Sequence, residues 1–268
     1  SNFGELPCNL VVLQAIFGVW CAVLRMNTQD DTTPTRPLVE VVLPVYNEED
    51  DLPSSVNTLI SYLQANAPWL WRILIADNAS TDSTFMVATG LAENHLQVQV
   101  LHLDEKGRGR ALRTAWLASD ADVVCYMDVD LSTDLSALPP LVSAILDDGY
   151  DVAIGSRLAK GAHVSKRTLK REIISRGYNT IIKLMYWTPI SDAQCGFKAL
   201  SRAAARRLLP KVKDNAFFFD TELLLIAQKR GMRIHEVPVI WKDDPDSRVH
   251  LVSTIMEDLR GLMRLRFG

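Results

Sequence analysis

The feature that most constrains the fold is an alternation of short apolar runs and longer amphipathic segments between residues 38 and 155. The apolar runs are rich in β-branched residues, which indicates strands at 38–44, 72–77, 98–103, 123–128 and 151–155. The segments between them have helical spacing and lie at 52–66, 81–94, 108–119 and 135–147. Because strands that alternate with helices form mostly parallel sheets, we predict a Rossmann-like α/β domain whose sheet is flanked by helices.

Composition places the chain among ordinary globular proteins. A length of 268 residues suits one core with attachments, and 48% hydrophobic and 23% charged residues exclude disordered, collagen-like and coiled-coil classes. The net charge of −3 argues against a nucleic-acid partner. The four cysteines include no CxxC pair, so we predict neither a zinc site nor a disulfide scaffold.

The N-terminal segment has two interpretations. Residues 10–24 are uncharged and apolar, but this run is shorter than the about 20 residues of a membrane-spanning helix. A polar, proline-bearing linker at 27–37 separates it from the main domain. The segment is either a helix packed on protein or a membrane-inserting anchor, and the sequence leaves both open.

Polar clusters follow four of the predicted strands, where ligands bind in open parallel sheets. These clusters are Pro44–Glu49, Asp77–Asp82, Asp104–Arg110 and Asp128–Ser132. Taken singly, each could be a helix cap or a turn. Together at one edge of one sheet they favour a nucleotide-sized polar site.

Two of the clusters carry recognisable chemistry. If the strand continued through Asp128, Asp130 and Ser132, their side chains would share one face, and the repelling carboxylates would need a cation such as Mg²⁺ or Mn²⁺. A solvated turn is the alternative. In the second cluster, Lys106–Arg110 places glycines among cations before a helix, which suits a phosphate or, alternatively, a basic flexible turn.

Six motifs in order resemble family 2 glycosyltransferases with the GT-A fold, and among them the dolichyl- or polyprenyl-phosphate sugar synthases. The motifs are Leu43–Glu49, Asp77–Asp82, Lys106–Gly109, the Asp128/Asp130 pair, Gly155–Arg157 and Asp192–Lys198. The resemblance covers about residues 38–248, taken as one catalytic domain between the 1–37 prefix and an amphipathic C-terminal helix at 249–268. The segment Asp128–Asp134 looks more like the glucosyl than the mannosyl enzymes, which favours UDP-glucose over GDP-mannose.

The resemblance assigns roles to particular residues. It places the nucleotide-sugar donor on Pro44, Tyr46, Glu48, Asp77, Lys106, Asp128 and Arg248, with Asp77 at the base and Arg248 at the diphosphate. The metal ligands would be Asp128, Asp130 and, less securely, Ser132, which stands where the mannosyl enzymes often carry Gln. The acceptor phosphate would contact Arg157, Arg171 and Ser175.

The implied reaction is an inverting displacement by a polyprenyl or dolichyl phosphate. Asp128, Asp130, Asp220 and Glu222 would form the catalytic group. A phosphate monoester is already largely dianionic at neutral pH, so Asp220 and Glu222 are expected to position groups rather than act as an obligate base. Helix capping is their alternative role.

Charge distribution bears on the partner and the location. Residues 155–214 contain fourteen Lys or Arg against three acids, a net of 14 − 3 = +11. Such a run is either a solvated helix face or a surface for a lipid phosphate at the cytoplasmic face of a membrane. Transfer to a sugar hydroxyl of a polysaccharide and a non-catalytic nucleotide-sugar-binding scaffold remain alternative functions, and the oligomeric state stays open.

Overall fold

The structure, a computed structural model, describes residues 36–165, 169–242 and 251–267. Its strands are β1 Leu38–Val45, β2 Leu70–Asn78, β3 Val98–Leu103, β4 Val123–Met127, β5 Val152–Ser156, β6 His163–Ser165, β7 Phe197–Ser201, β8 Ile234–Pro238 and β9 Ile240–Lys242. Its helices are α1 Leu52–Asn66, α2 Thr84–Asn94, α3 Arg108–Ala118, α4 Leu138–Leu146, α5 Leu169–Tyr186, α6 Arg202–Leu208, α7 Phe219–Lys229 and α8 Leu251–Phe267. The interpretation of residues 10–24 lies outside the described residues.

Seven strands form one sheet in the order β3-β2-β1-β4-β7-β5-β8. Strand β7 runs antiparallel to both of its neighbours, and the other pairs in this sheet are parallel. A small parallel pair, β6 and β9, lies beside it. The prediction of a mostly parallel α/β sheet is therefore confirmed, and β1 to β5 lie within two residues of their predicted bounds.

The sheet is buried on both faces, as helical crossovers require. In β1, Val41 and Leu43 belong to the apolar layer that includes residues of α1 and α4. Val42 points to the opposite layer, which includes residues of α3, α6 and α7. Because both faces are covered, polar side chains gather at the strand ends. No helix in the described part of the chain is long and apolar enough to cross a membrane.

Candidate active site

The loops that follow β1 and β2 are tied together by short polar side chains. The Asn47 backbone N–H donates to Ser80 Oγ at 3.0 Å, and the Thr81 N–H donates to Asn47 Oδ1 at 2.8 Å. Asn47 and Ala79 adopt positive φ angles of 55° and 59°, a region in which Asn is favoured over most side chains. The Glu48 N–H adds a bond to Thr84 Oγ1 at 2.7 Å. These loops thus form one connected rim.

The loop after β3 joins the same rim. The Gly107 N–H donates to Asn78 Oδ1 at 2.6 Å, and a Cβ on Gly107 would lie 2.6 Å from the Asn215 carbonyl oxygen. The Lys106 ammonium lies 3.3 Å from the centroid of the Tyr46 ring, a cation–π contact. The structure therefore brings two of the predicted donor-site residues, Tyr46 and Lys106, into contact. Pro44 precedes them in β1, beside Ala76 of β2.

Asp77 is placed differently from the role that the resemblance implied. Its side chain is fully buried, with Oδ2 at 2.6 Å from His102 Nδ1 and Oδ1 accepting the Ser80 N–H at 3.3 Å. Asp77 therefore orders the loop after β2, and contact with a nucleotide base would require these bonds to open. The exposed partner, His102, is packed against the Phe85 ring at a centroid distance of 4.6 Å.

The Asp128 segment is a turn, which is one of the two alternatives that the sequence left open. Strand β4 ends at Met127, and Leu131 adopts φ 48°. Asp130 is exposed and accepts hydrogen bonds from the Ser132 N–H at 3.0 Å and the Ser132 hydroxyl at 2.7 Å. Ser132 therefore orients Asp130, and its hydroxyl is already committed to that carboxylate. Its role as a third metal ligand is untested.

Gly196 makes room for Asp128. A Cβ built on Gly196 would lie 1.8 Å from Asp128 Oδ2 and 2.5 Å from its Cγ, distances at which no side chain fits. Gly196 stands immediately before β7, the antiparallel strand next to β4. The position of Asp128 thus depends on a residue nearly seventy positions later in the chain, which the sequence motif included without assigning it a role.

Asp128 contacts a cluster of largely buried charged side chains, which consists of Arg108, Lys198 and Asp220. Arg108 donates through Nη2 to Asp128 Oδ1 at 3.2 Å and to the Tyr126 hydroxyl at 3.0 Å. Its Nη1 lies 3.3 Å from Asp220 Oδ2, and Lys198 Nζ lies 3.0 Å from Asp220 Oδ1. Lys198 is completely buried. Sequence reasoning missed Tyr126 and the role of Lys198, although a lysine between Phe197 and Ala199 in an apolar strand was a usable signal.

The electrostatics of this cluster suit a cation at the turn. Desolvation raises the pKa of Asp128, the Arg108 guanidinium lowers it, and the Asp130 carboxylate raises it further. The net direction is upward, chiefly because of desolvation, so a cation at this turn would favour the ionised form of Asp128. Within the ranges that the structure describes, no three His, Cys, Asp or Glu side chains form a metal cluster.

The predicted acidic pair on α7 is separated by the structure. Asp220 accepts a hydrogen bond from the Tyr126 hydroxyl in addition to its contacts with Arg108 and Lys198. Glu222 instead accepts the backbone N–H groups of Lys213 and Asp214, at 3.0 and 2.7 Å, and contacts Arg264 at 3.2 Å.

Residues that are two positions apart in a helix point about 200° apart around its axis, so the side chains of Asp220 and Glu222 lie on different faces of α7. Asp220 therefore belongs to the charged cluster that contacts Asp128 through Arg108. Glu222 anchors the loop before α7 and the C-terminal helix, and a catalytic role for the two acids stays a prediction.

Arg157 is fixed by a buried carboxylate. Its Nε and Nη2 donate to the two oxygens of Asp192 at 2.7 and 2.9 Å, and its guanidinium lies 5.0 Å from the Trp241 ring centroid. Burial opposes ionisation of Asp192, but Arg157 holds the pKa of that carboxyl below its ordinary value. The bidentate pair therefore holds a cation in one orientation just after β5.

The remaining acceptor-site predictions fall on or near α5. Ser175 is buried, and its hydroxyl has no hydrogen-bond partner among the residues that the structure describes. Arg171 lies one turn earlier in α5, and the prediction for its side chain is outside the described part of the structure. The prediction for Arg248 also lies outside the described residues.

Solved structures share this fold. Glucosyl-3-phosphoglycerate synthase of Mycobacterium tuberculosis, solved with Mn²⁺, UDP and phosphoglyceric acid, superposes with a TM-score of 0.63. The alignment covers 85% of this chain and 77% of that structure, at 18% sequence identity. This likeness supports the GT-A architecture.

Curated relatives give the family. Glycosyltransferase AglD of Haloferax volcanii is 40% identical over 223 residues, which are 81% of this chain and 35% of AglD, so the chain spans about a third of that relative. Dolichyl-phosphate beta-glucosyltransferase ALG5C of Trichomonas vaginalis is 30% identical over 83% of this chain and 69% of its own length. The dolichyl-phosphate beta-glucosyltransferase of Saccharomyces cerevisiae is 27% identical over 90% and 78%.

Residues 40–209 match the family model "Glycosyl transferase family 2". This range includes the rim of strand-end loops, the Asp128 turn and the ion pair of Arg157 with Asp192. This chain therefore belongs to glycosyl transferase family 2, with a GT-A fold.

Proposed function

We propose that this chain transfers glucose from UDP-glucose to a dolichyl or other polyprenyl phosphate, with inversion at the anomeric carbon. The observation that carries the proposal is the Asp128 turn, which sits over the Arg108–Asp220–Lys198 cluster beside the rim formed by the β1, β2 and β3 loops. Relatives that carry the name dolichyl-phosphate beta-glucosyltransferase favour glucose and a lipid phosphate. GDP-mannose is the alternative donor.

The residues present fit a divalent cation. Asp128 and Asp130 offer oxygen ligands, which hard cations such as Mg²⁺ and Mn²⁺ prefer, and the Asp130 carboxylate adds to the burial that raises the pKa of Asp128. When bound, such an ion would neutralise charge on the departing diphosphate. Ser132 keeps Asp130 oriented toward this task, and Arg108 does the same for Asp128.

The acceptor is inferred from the state of the acidic side chains. A sugar hydroxyl loses a proton as it attacks, so it needs a base within hydrogen-bond reach. Both oxygens of Asp220 already face Arg108 and Lys198, and both oxygens of Glu222 are engaged elsewhere. A phosphate acceptor needs no such base, and Arg157, which Asp192 holds in one orientation, offers it a charge-assisted contact.

We further propose that one face of the protein lies on the membrane that contains the acceptor. Helices α5 and α8 are joined by a hydrogen bond from the Tyr186 hydroxyl to the Leu262 carbonyl at 2.6 Å. Among the described side chains, the large exposed apolar ones on these helices and at Trp187, which follows α5, are Ile181, Leu184, Trp187, Met256, Met263 and Phe267. Exposed cations lie on the same two helices, at Lys183, Arg260 and Arg266. Apolar side chains flanked by cations suit an anionic lipid surface.

The direct test is a transfer assay with purified protein, labelled UDP-glucose, Mn²⁺ and a short-chain polyprenyl phosphate. We expect a lipid-soluble glucosyl phosphate. The matched polyprenol, which has a hydroxyl in place of the phosphate, should give none, and GDP-mannose should give less. Absence of lipid product with either donor would refute the proposal, and UDP binding without turnover would support the scaffold alternative.

A further inference from the structure

A buried carboxylate on the C-terminal helix contacts the loop beside the proposed active site. Asp258 of α8 is 1% exposed, and its Oδ2 accepts a hydrogen bond from Gln194 Nε2 at 2.8 Å. Gln194 lies in the segment 191–196, hereafter the 191–196 loop, which connects α5 to β7. Asp258 lies outside residues 40–209 of the family match, so neither the comparisons nor the sequence motifs assign it a role.

The 191–196 loop reaches the site at three points. Asp192 holds Arg157 through two hydrogen bonds. The Cys195 carbonyl accepts a hydrogen bond from Lys198 Nζ at 2.6 Å, and Gly196 faces the Asp128 carboxylate. A shift of this loop by a fraction of an ångström would therefore move Arg157, and it would also press Gly196 against the Asp128 carboxylate.

Other contacts fix the early part of the loop. The Ser191 N–H donates to Glu236 Oε1 at 2.6 Å, and the Ala193 N–H donates to Asn179 Oδ1 at 3.1 Å. The Gln194 side chain then leaves the loop toward α8 and ends on Asp258. Helix α8 is itself held by Arg264 on Glu222 and by the close packing of Gly261 on Phe218.

Burial of this carboxylate does not favour stability. Asp258 carries the desolvation cost of a buried carboxylate, and the Gln194 amide and the nearby Tyr178 hydroxyl offset that cost only in part, since the pKa of Asp258 is still raised. An apolar side chain at this position would avoid that cost but could not hold Gln194. The geometry therefore indicates a role in orientation.

We propose that Asp258 is a positioning residue, which fixes the 191–196 loop through Gln194 and so sets Arg157 for the acceptor. The proposal rests on the proposed glycosyl transfer, in which Asp258 itself touches no substrate. Since the loop serves the acceptor side, losing the contact should lower turnover and acceptor use while donor binding is preserved.

The kinetic test compares Asp258→Leu, Gln194→Leu and the double variant. A misplacement of about 1 Å can cost about 100-fold in rate, so we expect kcat/KM for polyprenyl phosphate to fall by about 10- to 100-fold in each single variant. The double variant should fall no further, because both changes break the same contact. UDP affinity, measured by calorimetry, should stay within about twofold.

Two variants complete this set. Asp258→Asn retains an acceptor oxygen for Gln194 and should restore most of the rate. Glu257→Gln changes the exposed neighbouring acid on α8 and should have no effect. Additive losses in the double variant, or an equal loss of UDP affinity, would overturn the proposal. If Asp258→Leu does not fold, Gln194→Leu alone decides, and an unchanged rate overturns it.

A pH profile and hydrogen exchange separate positioning from structure. Burial raises the pKa of Asp258 to about 7, while Tyr178 and Gln194 oppose this and Asp214 and Asp220 add to it. Because protonated Asp258, like Asn, still offers an acceptor oxygen to Gln194, the pH profiles of kcat/KM for the wild type and Asp258→Asn should agree closely around pH 7. Hydrogen exchange of the Ala193 and Gln194 amides should accelerate in Asp258→Leu, and unchanged exchange overturns the proposal even if no transfer is detected. Absent transfer with accelerated exchange would refute only the proposed function.

Discussion

The proposed donor side and the proposed acceptor side of the site are built in different ways. On the donor side, Tyr46, Asn78 and Lys106 lie at or just after the ends of three strands, and neighbouring loops meet because their strands are neighbours. On the acceptor side, Arg157 is held by Asp192 of the 191–196 loop, and this loop contacts Asp258 of α8, which is far away in sequence. Local patterns therefore describe the donor side, whereas long-range packing defines the acceptor side.

Gly196→Ala tests the point at which the two sides meet. The added methyl would overlap the Asp128 carboxylate, so we expect transfer to fall by at least about 100-fold, measured as kcat with UDP-glucose and polyprenyl phosphate. Gly90→Ala is the matched control, because a Cβ at Gly90 meets nothing within 4 Å and its helical site should gain about 0.5–1 kcal/mol of stability. Full activity in Gly196→Ala would contradict the placement of Asp128.

Lys198→Met tests whether the cluster of Arg108, Asp220 and Lys198 also stabilises the fold. Removing this buried cation leaves Asp220 with Arg108 but takes away the ion-pair partner of its Oδ1, so the free energy of unfolding in urea should fall by about 3 kcal/mol. The exposed pair of Arg176 and Glu172 supplies the contrast, since Arg176→Ala should cost less than about 1 kcal/mol. Similar losses in both variants would show that Lys198 is not buried as described.

Asp220→Asn and Glu222→Gln sharpen the distinction between the two acids of α7. Asp220→Asn weakens the hold on Arg108 and thus on Asp128, so kcat should fall by about 10- to 100-fold while UDP-glucose still binds. Glu222→Gln should alter thermal stability and leave kcat nearly unchanged, because its contacts are with the 213–214 backbone and Arg264. A larger kcat loss in Glu222→Gln would restore the acidic pair and favour a hydroxyl acceptor.

The last effect concerns the pH dependence of the free energy of unfolding. Burial raises the folded-state pKa of Asp258 to about 7, above the unfolded value near 3.8, so the folded state binds a proton more tightly. The contribution of this group to the free energy of unfolding is thus greatest below pH 4 and declines as pH rises to about 7. Asp258→Asn should remove this decline in urea titrations at several pH values, and an unchanged slope would contradict the shift.

Sequence reasoning succeeded wherever one strand and its exit loop carried the information. The bounds of β1 to β4 were predicted within two residues, because alternating apolar periodicity is a local property. The sequence left both a continued strand and a turn open after β4. The left-handed conformation of Leu131 and the hydrogen bond from Ser132 to Asp130 decide for the turn, and the residue types alone do not dictate either of them.

Local sequence patterns do not predict which group each acidic side chain contacts. Asp77, Asp220 and Glu222 are all acids next to strand ends or helix starts, yet their partners are respectively a histidine, a buried lysine and a backbone segment. Each partner comes from a segment folded against the acid by the packing of the whole domain.

The sequence by itself determined the α/β alternation, the order of the motifs and the edge of the sheet at which they gather, because these follow from periodicity and chain direction. Only the tertiary structure decided which acid supports Asp128, that Gly196 must lack a side chain, and that α8 touches the 191–196 loop. The physical reason is that charge pairing and close packing act between atoms that are adjacent in space, whatever their separation along the chain.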